Sequence, residues 1–309
     1  MTWNPDLGEL RFITGDLEGT FIADGLHHGV THLVHRPTGV VLARPGPLLN
    51  VYRLLCRDGW LGEARATRHV VQRVPDGLRL VWAARPAHLA HLEATLRLQA
   101  DNALDMEIEV TGHAAYEDYE VFLSNYFDHS LQSGGYVVPV PEDPEAKEGR
   151  PIQLEPKAHP VYRGLYVTLP RDSHAAQMFW DGRWHRGRNW AEFMPARPYA
   201  LPLGYYRDSA SGVDALVMGL RADLAAVSIA YHPGDAGPDN VSNHHSLYLS
   251  LWGQNLRPGV HWRTAVRLVA GRWNGDPDAH RAQWDAFATS STVRTGSFPV
   301  DNASPVFER

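Results

Sequence analysis

The chain has 309 residues, of which 44% are hydrophobic and 21% are charged, so it can bury a substantial core. Its formal net charge of −6 argues against the basic surface that nucleic-acid-binding proteins carry. No apolar run reaches the roughly 18 residues of a membrane-spanning helix, and the first residues lack the pattern of a signal peptide. We therefore expect a cytoplasmic protein without nucleic-acid or membrane partners, and with no internal disulfide because Cys56 is the only cysteine.

Strand patterns dominate the chain from its beginning. Two antiparallel hairpins are predicted, one over 70–82 around the turn Pro75-Asp76-Gly77 and one over 92–110 around Asp101-Asn102. Further strands are predicted at 11–14, 20–23, 31–34, 119–127, 164–169, 176–179, 215–220 and 226–231. Successive strands with turn signals at short spacing predict one all-β sandwich domain over residues 1–309.

The segment 244–271 gives the clearest strand pattern. Its first arm alternates Leu247, Leu249 and Leu251 with Tyr248, Ser250 and Trp252, and its second arm places Val266, Leu268 and Ala270 on one face. Because Asn255 and Pro258-Gly259 supply turn residues between the arms, the segment predicts an antiparallel hairpin buried on its leucine face.

One helix is predicted near the C-terminus, over residues 275–289. Asp276 can cap its first turn and Pro277 suits the first helical position. His280, Trp284 and Phe287 then share one face, which we expect to pack against the edge of the sandwich. Residues 291–309, rich in small and polar side chains, predict an extended tail.

Two segments carry groups suited to chemistry on a sugar. Residues 178–193 place Trp180 and Trp184 near His185 and Arg188, and indole faces beside hydrogen-bonding groups suit pyranose rings and their hydroxyls. The alternative is that these tryptophans only fill the core. At the end of the strand 119–127, Asp128-His129 offers a carboxylate beside a histidine for acid-base chemistry, or forms a solvated strand end.

Histidine is frequent, with 17 residues in the chain. Two groups stand out, an early one and a late one: His27, His28, His32 and His35, then His232, His244 and His245. Their spacing fits no established zinc pattern, so no metal or other cofactor is predicted, and a metal-assisted glycoside hydrolase or lyase stays an alternative. Carboxylate pairs of the glycosidase type depend on spatial separation and stay open as well.

Several passages resemble the galactose mutarotase-like (aldose 1-epimerase-like) group. They are the opening GTFIADGLHHGVTHLVHRPTGVVL, the tetrapeptide Ser124-Asn125-Tyr126-Phe127, the closing LRPGVHWRTAVRLV, and Gly62-Glu63-Ala64-Arg65. The resemblance implies a large antiparallel β-supersandwich that binds a sugar on a concave face, with Arg65 as a substrate contact. The chain differs where aldose epimerases place catalytic histidines, at Ser124 and Leu61, and has no glutamate before the final Leu-Arg-Pro-Gly turn, so altered chemistry is expected.

We therefore expect a carbohydrate-active enzyme for a sugar or uronic-acid-like ligand, an epimerase-like isomerase or a related lyase or hydrolase. The expected proton-transfer residues are His129 and His245, with Asp128 as the orienting or basic carboxylate. Ligand binding is assigned to Arg65, Tyr126, Trp180, Trp184, His185, Arg188, His244 and Trp252. A non-catalytic carbohydrate-binding module or sensor is the competing interpretation.

Overall fold

Strands make up most of the computed structural model, which describes residues 1–4, 6–23, 27–142, 149–154, 166–184, 193–195, 197–230 and 244–291. The strands in chain order are β1 Thr2–Asn4, β2 Glu9–Ile13, β3 Leu17–Ile22, β4 Gly29–His35, β5 Val40–Ala43, β6 Asn50–Cys56, β7 Gly59–Glu63, β8 Val70–Val74, β9 Gly77–Trp82, β10 Ala90–Ala100, β11 Ala103–Gly112, β12 Tyr116–Asp128, β13 Gly135–Pro139, β14 Ile152–Leu154, β15 Tyr166–Pro170, β16 Phe193–Pro195, β17 Tyr199–Asp208, β18 Val213–Gly219, β19 Leu224–Ala230, β20 His244–Leu256 and β21 His261–Arg272. The helices are α1 Ser173–Met178 and α2 Pro277–Ser290.

These strands form three sheets. A five-stranded sheet follows the chain from β1 to β5, a nine-stranded sheet has the order β14-β13-β17-β18-β21-β11-β10-β9-β8, and a seven-stranded sheet has the order β16-β15-β19-β20-β12-β6-β7. Pairing is antiparallel except between β15 and β16. The all-β supersandwich predicted from the sequence is therefore confirmed, and so are the hairpins β8–β9 and β10–β11.

The main core lies between the nine-stranded and seven-stranded sheets and continues under the five-stranded sheet. Alternation along the strands builds it, because every second side chain points to the same face. On β11 the inward residues are Leu104, Met106 and Ile108, and the alternating charged residues between them stay only partly buried.

The prediction of a hairpin over 244–271 is wrong in its pairing. Strand β20 lies between β12 and β19 in the seven-stranded sheet, whereas β21 lies between β11 and β18 in the nine-stranded sheet. The apolar faces of both strands, including Leu249 and Leu268, belong to the same core and are fully buried. Residues 257–260 therefore form an arch that connects the two layers, because the two apolar faces meet across the core and not within one sheet.

The C-terminal helix predicted over 275–289 is confirmed as α2, but its packing differs from the expectation. The cap of α2 is as predicted, since the Asp276 carboxylate accepts a hydrogen bond from the Asp278 amide at 3.0 Å and Pro277 opens the helix. Its buried Phe287, however, packs with Met218 and Val269 on the outer face of the nine-stranded sheet, and not at an edge. The strand predicted at 176–179 is wrong as well.

Helix α1 takes the place of that strand. The Asp172 side chain accepts a hydrogen bond from the Ala175 amide at 2.9 Å and so caps the first turn. Alanine and glutamine at the next positions favour a helix. The single-domain organisation over 1–309 stays a prediction, and the tail after Ser291 lies outside the described residues.

Leu249→Ala is expected to lower the free energy of unfolding by about 2–5 kcal/mol, since truncation leaves a cavity between the sheets. Urea denaturation measures this loss. The same substitution at Leu89, which is 42% exposed, is expected to change stability by no more than about 0.5 kcal/mol. Equal losses in the two variants would contradict the position of β20 in the core.

Candidate functional site

A row of polar side chains crosses the face of the seven-stranded sheet that points away from the main core, which we call the distal face. The strand register aligns Asn50, Ser124, Tyr248, Ser228 and Thr168. All five are buried, with at most 1% exposure. The Thr168 and Ser228 hydroxyls share a hydrogen bond of 2.8 Å, whereas the Asn50 amide and the Ser124 hydroxyl have no hydrogen-bond partner in the described structure.

Small and large side chains are separated on the distal face. Strands β19 and β20 contribute the small residues Ala226, Ala230, Ser246 and Ser250. Rings gather over β6 and β12, where Phe122 stacks on Tyr248 with 5.0 Å between ring centres and meets Trp184 edge-on at 4.6 Å. All of these side chains are buried, and small side chains beside flat aromatic rings are a combination that suits an apolar ring face.

Two arginines lie at the distal face, and Arg65 is the more exposed of them. It lies in a short 3-10 turn after β7, with its guanidinium 3.8 Å from the centre of the Tyr52 ring and its Nε donating to Glu63 at 3.4 Å. Burial lowers the pKa of Arg65, but attraction to Tyr126, Tyr52 and Glu63 outweighs this effect and leaves the pKa raised. The side chain is 20% exposed, and within the described residues Nη1 and Nη2 make no hydrogen bond. Arg65 thus presents a planar pair of donors.

A second guanidinium lies deeper on the same surface. Arg53 is fully buried, with its guanidinium 4.2 Å from the centre of the Tyr52 ring and 4.4 Å from that of Trp60. Its Nε lies 4.0 Å from the Glu63 carboxylate that also contacts Arg65. One carboxylate therefore lies near two arginines whose guanidinium groups both stand over the same tyrosine ring.

The late histidine group contributes one ring to the distal face. His244 stacks on Tyr126 with 4.0 Å between ring centres, and its Nδ1 lies 2.8 Å from the Ser246 hydroxyl. Because Ser246 lies directly opposite Tyr126 in the register of β12 and β20, both contacts of His244 come from one level of the sheet. The imidazole is therefore held in a defined orientation.

His245 has the opposite orientation. Its ring stacks on the core residue Tyr206 with 5.3 Å between centres, and its Nε2 lies 3.1 Å from the Leu131 carbonyl oxygen. Adjacent residues of a strand point to opposite faces, so His244 and His245 cannot serve one site in the way that the sequence suggested.

Asp128 and His129 are close but not hydrogen-bonded. The nearest approach is 3.7 Å between His129 Nδ1 and Asp128 Oδ1, and that oxygen already accepts a hydrogen bond from the Ser130 amide at 2.9 Å. The other oxygen lies 4.0 Å from Arg44 Nε. Asp128 is 1% exposed and is engaged in closing the turn after β12. The structure does not place it with His245.

The predicted aromatic contacts separate into three groups. Trp184 lies on the distal face, and Trp180 is 67% exposed after α1. Trp252 is 1% exposed and packs against Trp262 in the main core, because register shifts at the facing residues of β12 interrupt the alternation. His185 and Arg188 lie outside the described residues.

A buried ionic network anchors the chain before Trp184. Arg183 binds the Asp181 carboxylate through Nε and Nη2 at 2.9 and 2.7 Å, and donates through Nη1 to Glu120 at 3.2 Å and to the Asp118 carbonyl at 2.9 Å. Ser250 donates to the second oxygen of Glu120 at 2.8 Å. Burial raises the pKa of Glu120 in spite of Arg183 and Ser250, which lower it.

The raised pKa of Glu120 predicts a pH dependence of stability. The folded protein holds this proton more tightly than the unfolded chain, whose value is near 4.5, so the contribution is present below that pH and is lost as pH rises through the raised pKa. Glu120→Gln cannot ionise and is expected to remove this decline. Ser250→Ala is expected to move it to higher pH. Unfolding free energies measured across acidic to neutral pH test this, and parallel profiles for wild type and Glu120→Gln would contradict it.

The early histidine group has structural contacts. His28 is fully buried and accepts a hydrogen bond from the Val51 amide at 3.0 Å, and burial, together with His69, His27 and Arg65, lowers its pKa to about 3. Burial and Arg65 also lower the pKa of His27. His28 therefore supports β6 through its hydrogen bond with the Val51 amide.

Strand β6 contributes side chains to the site that were not predicted from the sequence. Asn50, Tyr52 and Arg53 all reach the site, yet the segment 50–56 was not predicted as a strand. All seven residues of β6 are buried, so the alternation that reveals half-buried strands is absent. The available signal was an asparagine and an arginine within a short apolar run.

Two further findings concern the described residues alone. They contain no group of three or more His, Cys, Asp or Glu side chains arranged to hold a metal ion. They also contain no helix that is long and apolar enough to cross a membrane. His232 lies outside this part of the chain.

No protein-family model and no curated protein sequence matches the chain. Its stacked antiparallel sheets define a β-supersandwich of the galactose mutarotase-like type. The GalM/aldose epimerase homologue from C. elegans is similar, with a TM-score of 0.52 and 10% sequence identity, over 86% of this chain and 99% of that one. The resemblance inferred from the sequence is thereby confirmed for the fold.

Two other solved structures are similar over comparable lengths. The Slr1438 protein from Synechocystis sp. PCC 6803 has a TM-score of 0.47 at 14% identity, over 88% of this chain and 100% of that one. Galactose 1-epimerase from Lactobacillus acidophilus NCFM has a TM-score of 0.44 at 11% identity, over 87% of this chain and 92% of that one. At these identities the likeness concerns the fold alone.

Proposed function

We propose that the distal face binds a carbohydrate and that the protein acts on it by proton transfer. The observation that carries this proposal is Arg65, a partly exposed guanidinium that contacts Glu63 and Tyr52 and whose Nη1 and Nη2 make no hydrogen bond within the described residues. A planar pair of donors suits two sugar hydroxyls or one carboxylate. The ligand class is therefore a sugar or a uronic acid.

The surroundings of Arg65 support a sugar ring. Aromatic side chains, among them Tyr126 and Trp184, stand beside the small residues of β19 and β20. The C–H face of a pyranose packs on such rings, while its hydroxyls need polar partners at the periphery. The fold is shared with an aldose epimerase homologue, which agrees with this ligand class without specifying a reaction.

His244 is the proposed proton-transfer residue, in place of His245 and His129. An imidazole titrates near neutral pH and can remove a proton from one sugar atom and return it to another. Its Nδ1 contact with Ser246 and its stacking on Tyr126 fix the ring at the distal face. An isomerisation of the epimerase type fits this single acid-base group, and elimination from a uronic acid is the related alternative.

A non-catalytic binding module is the second candidate. It is favoured by Asp128, which is buried and accepts a hydrogen bond from the Ser130 amide through Oδ1, while Oδ2 has no hydrogen-bond partner within the described residues. The distinction is experimental, since a module binds its sugar without converting it.

Arg65→Ala is expected to weaken sugar binding at least about tenfold, equivalent to about 1.4 kcal/mol. Titration calorimetry against neutral hexoses and hexuronic acids measures the loss. Arg73→Ala is the matched control, because Arg73 is exposed on the edge strand β8. If wild type binds no sugar of the panel, or if both variants bind like wild type, the site assignment fails.

His244→Asn is expected to lower turnover by about 10²–10⁴-fold while binding is retained. NMR of anomer exchange and of solvent deuterium entering the sugar follows the reaction. His245→Asn is expected to keep most of the activity, because its ring contacts Tyr206 and Leu131 on the core side. The reverse ranking would restore the assignment made from the sequence. Binding without conversion by wild type would support the module.

A further inference from the structure

Two groups of the polar row take no part in the proposed chemistry. Asn50 and Ser124 lie directly opposite each other on β6 and β12, and both side chains are 0% exposed. Neither Oδ1 nor Nδ2 of Asn50 has a hydrogen bond within the described structure, and neither does Oγ of Ser124. Three adjacent polar atoms are therefore buried without partners on the proposed binding face.

Such atoms destabilise a fold unless something pairs with them. A buried donor or acceptor without a partner loses its hydration and gains nothing in return, and native proteins satisfy nearly all of these groups. The same row shows the usual solution, because Thr168 and Ser228 bind each other at 2.8 Å. No described residue supplies such a partner for Asn50 or Ser124.

We propose that Asn50 and Ser124 form a subsite for two adjacent hydroxyl groups of the carbohydrate. This inference rests on the proposed function and specifies the ligand further. An amide offers both donors and an acceptor, and only a group that can donate satisfies Oδ1. A pair of neighbouring hydroxyls fits, with one accepting from Nδ2 and the other donating to Oδ1, while the Ser124 hydroxyl pairs with either.

A carboxylate does not fit this position. It can only accept hydrogen bonds, so it would leave Asn50 Oδ1 buried and unpaired. Arg65 offers donors alone and is the complementary place for an acidic group. The two positions together select a sugar with an intact vicinal diol, whether or not it also carries a carboxylate.

The first test needs no ligand. Asn50→Leu and Ser124→Ala remove unpaired polar atoms, so each is expected to raise the melting temperature by about 2–4 °C. Thr168→Val and Ser228→Ala are matched controls in the same row, and each is expected to lower it because the remaining hydroxyl loses its partner. A lower melting temperature for Asn50→Leu would show that the amide is satisfied within the protein and would overturn the proposal.

The second test uses calorimetry to compare the binding of sugars and of their deoxy forms to wild type and to Asn50→Leu. The probes are D-glucose, D-galactose, D-mannose, their uronic acids, and the singly deoxygenated forms of whichever sugar binds. For wild type, loss of either hydroxyl of one adjacent pair is expected to weaken binding at least about tenfold. In Asn50→Leu the same deoxy sugars are expected to bind like the parent sugar.

The results distinguish failure of the subsite from failure of the proposed function. If wild type binds a sugar but the deoxy penalties are equal in wild type and Asn50→Leu, the subsite is refuted and the proposed function stands. If wild type binds none of these sugars, both are refuted.

Discussion

The pairing of β12 with β20 is the constraint on which the rest of the structure depends. Between Val121 and Phe127, and in the facing part of β20, every second residue points to the main core and the others point to the distal face. Leu123 and Leu249 therefore lie inside, while Ser124 and Tyr248 lie opposite. A slip of one residue would exchange the two faces completely. Because both faces are buried, an apolar core on one side and an aromatic and polar layer on the other each specify the register.

Local patterns were enough to predict the strands and the fold class, but not the partners of the strands. The hairpin β10–β11 was predicted correctly because its turn and its alternation lie within one short segment. The arch between β20 and β21 was taken for a hairpin because alternation shows which face is apolar and not which strand lies beside it. Strand β6 was missed since it is buried on both faces. Helix α1 was missed because residues 176–179 were assigned to a strand and the capping residue Asp172 before them was not recognised.

For some residues of the proposed site, the residue type alone was enough to predict a place at the binding face. Arg65, Tyr126, Trp184 and His244 were all assigned to binding, and the structure brings these four to the distal face. The face to which a side chain points was harder to predict. His244 and His245 are neighbours on one strand and therefore point to opposite faces, and the sequence does not show which of them points to the distal face. The role proposed for Asn50 follows only from its burial without a partner among the described residues, which no sequence pattern reveals.

The central place of β20 in its sheet has a consequence for how the protein is made. Its contacts with β12 join residues far apart, as in the hydrogen bond between Asn125 and the Leu247 carbonyl, 122 positions away. Until residues 244–256 have left the ribosome, β12 and β19 each expose an unpaired strand edge. The β12 edge therefore stays open while residues 129–256 are made, and the β19 edge stays open while residues 231–256 are made. Protection from association during these intervals is a requirement of this topology.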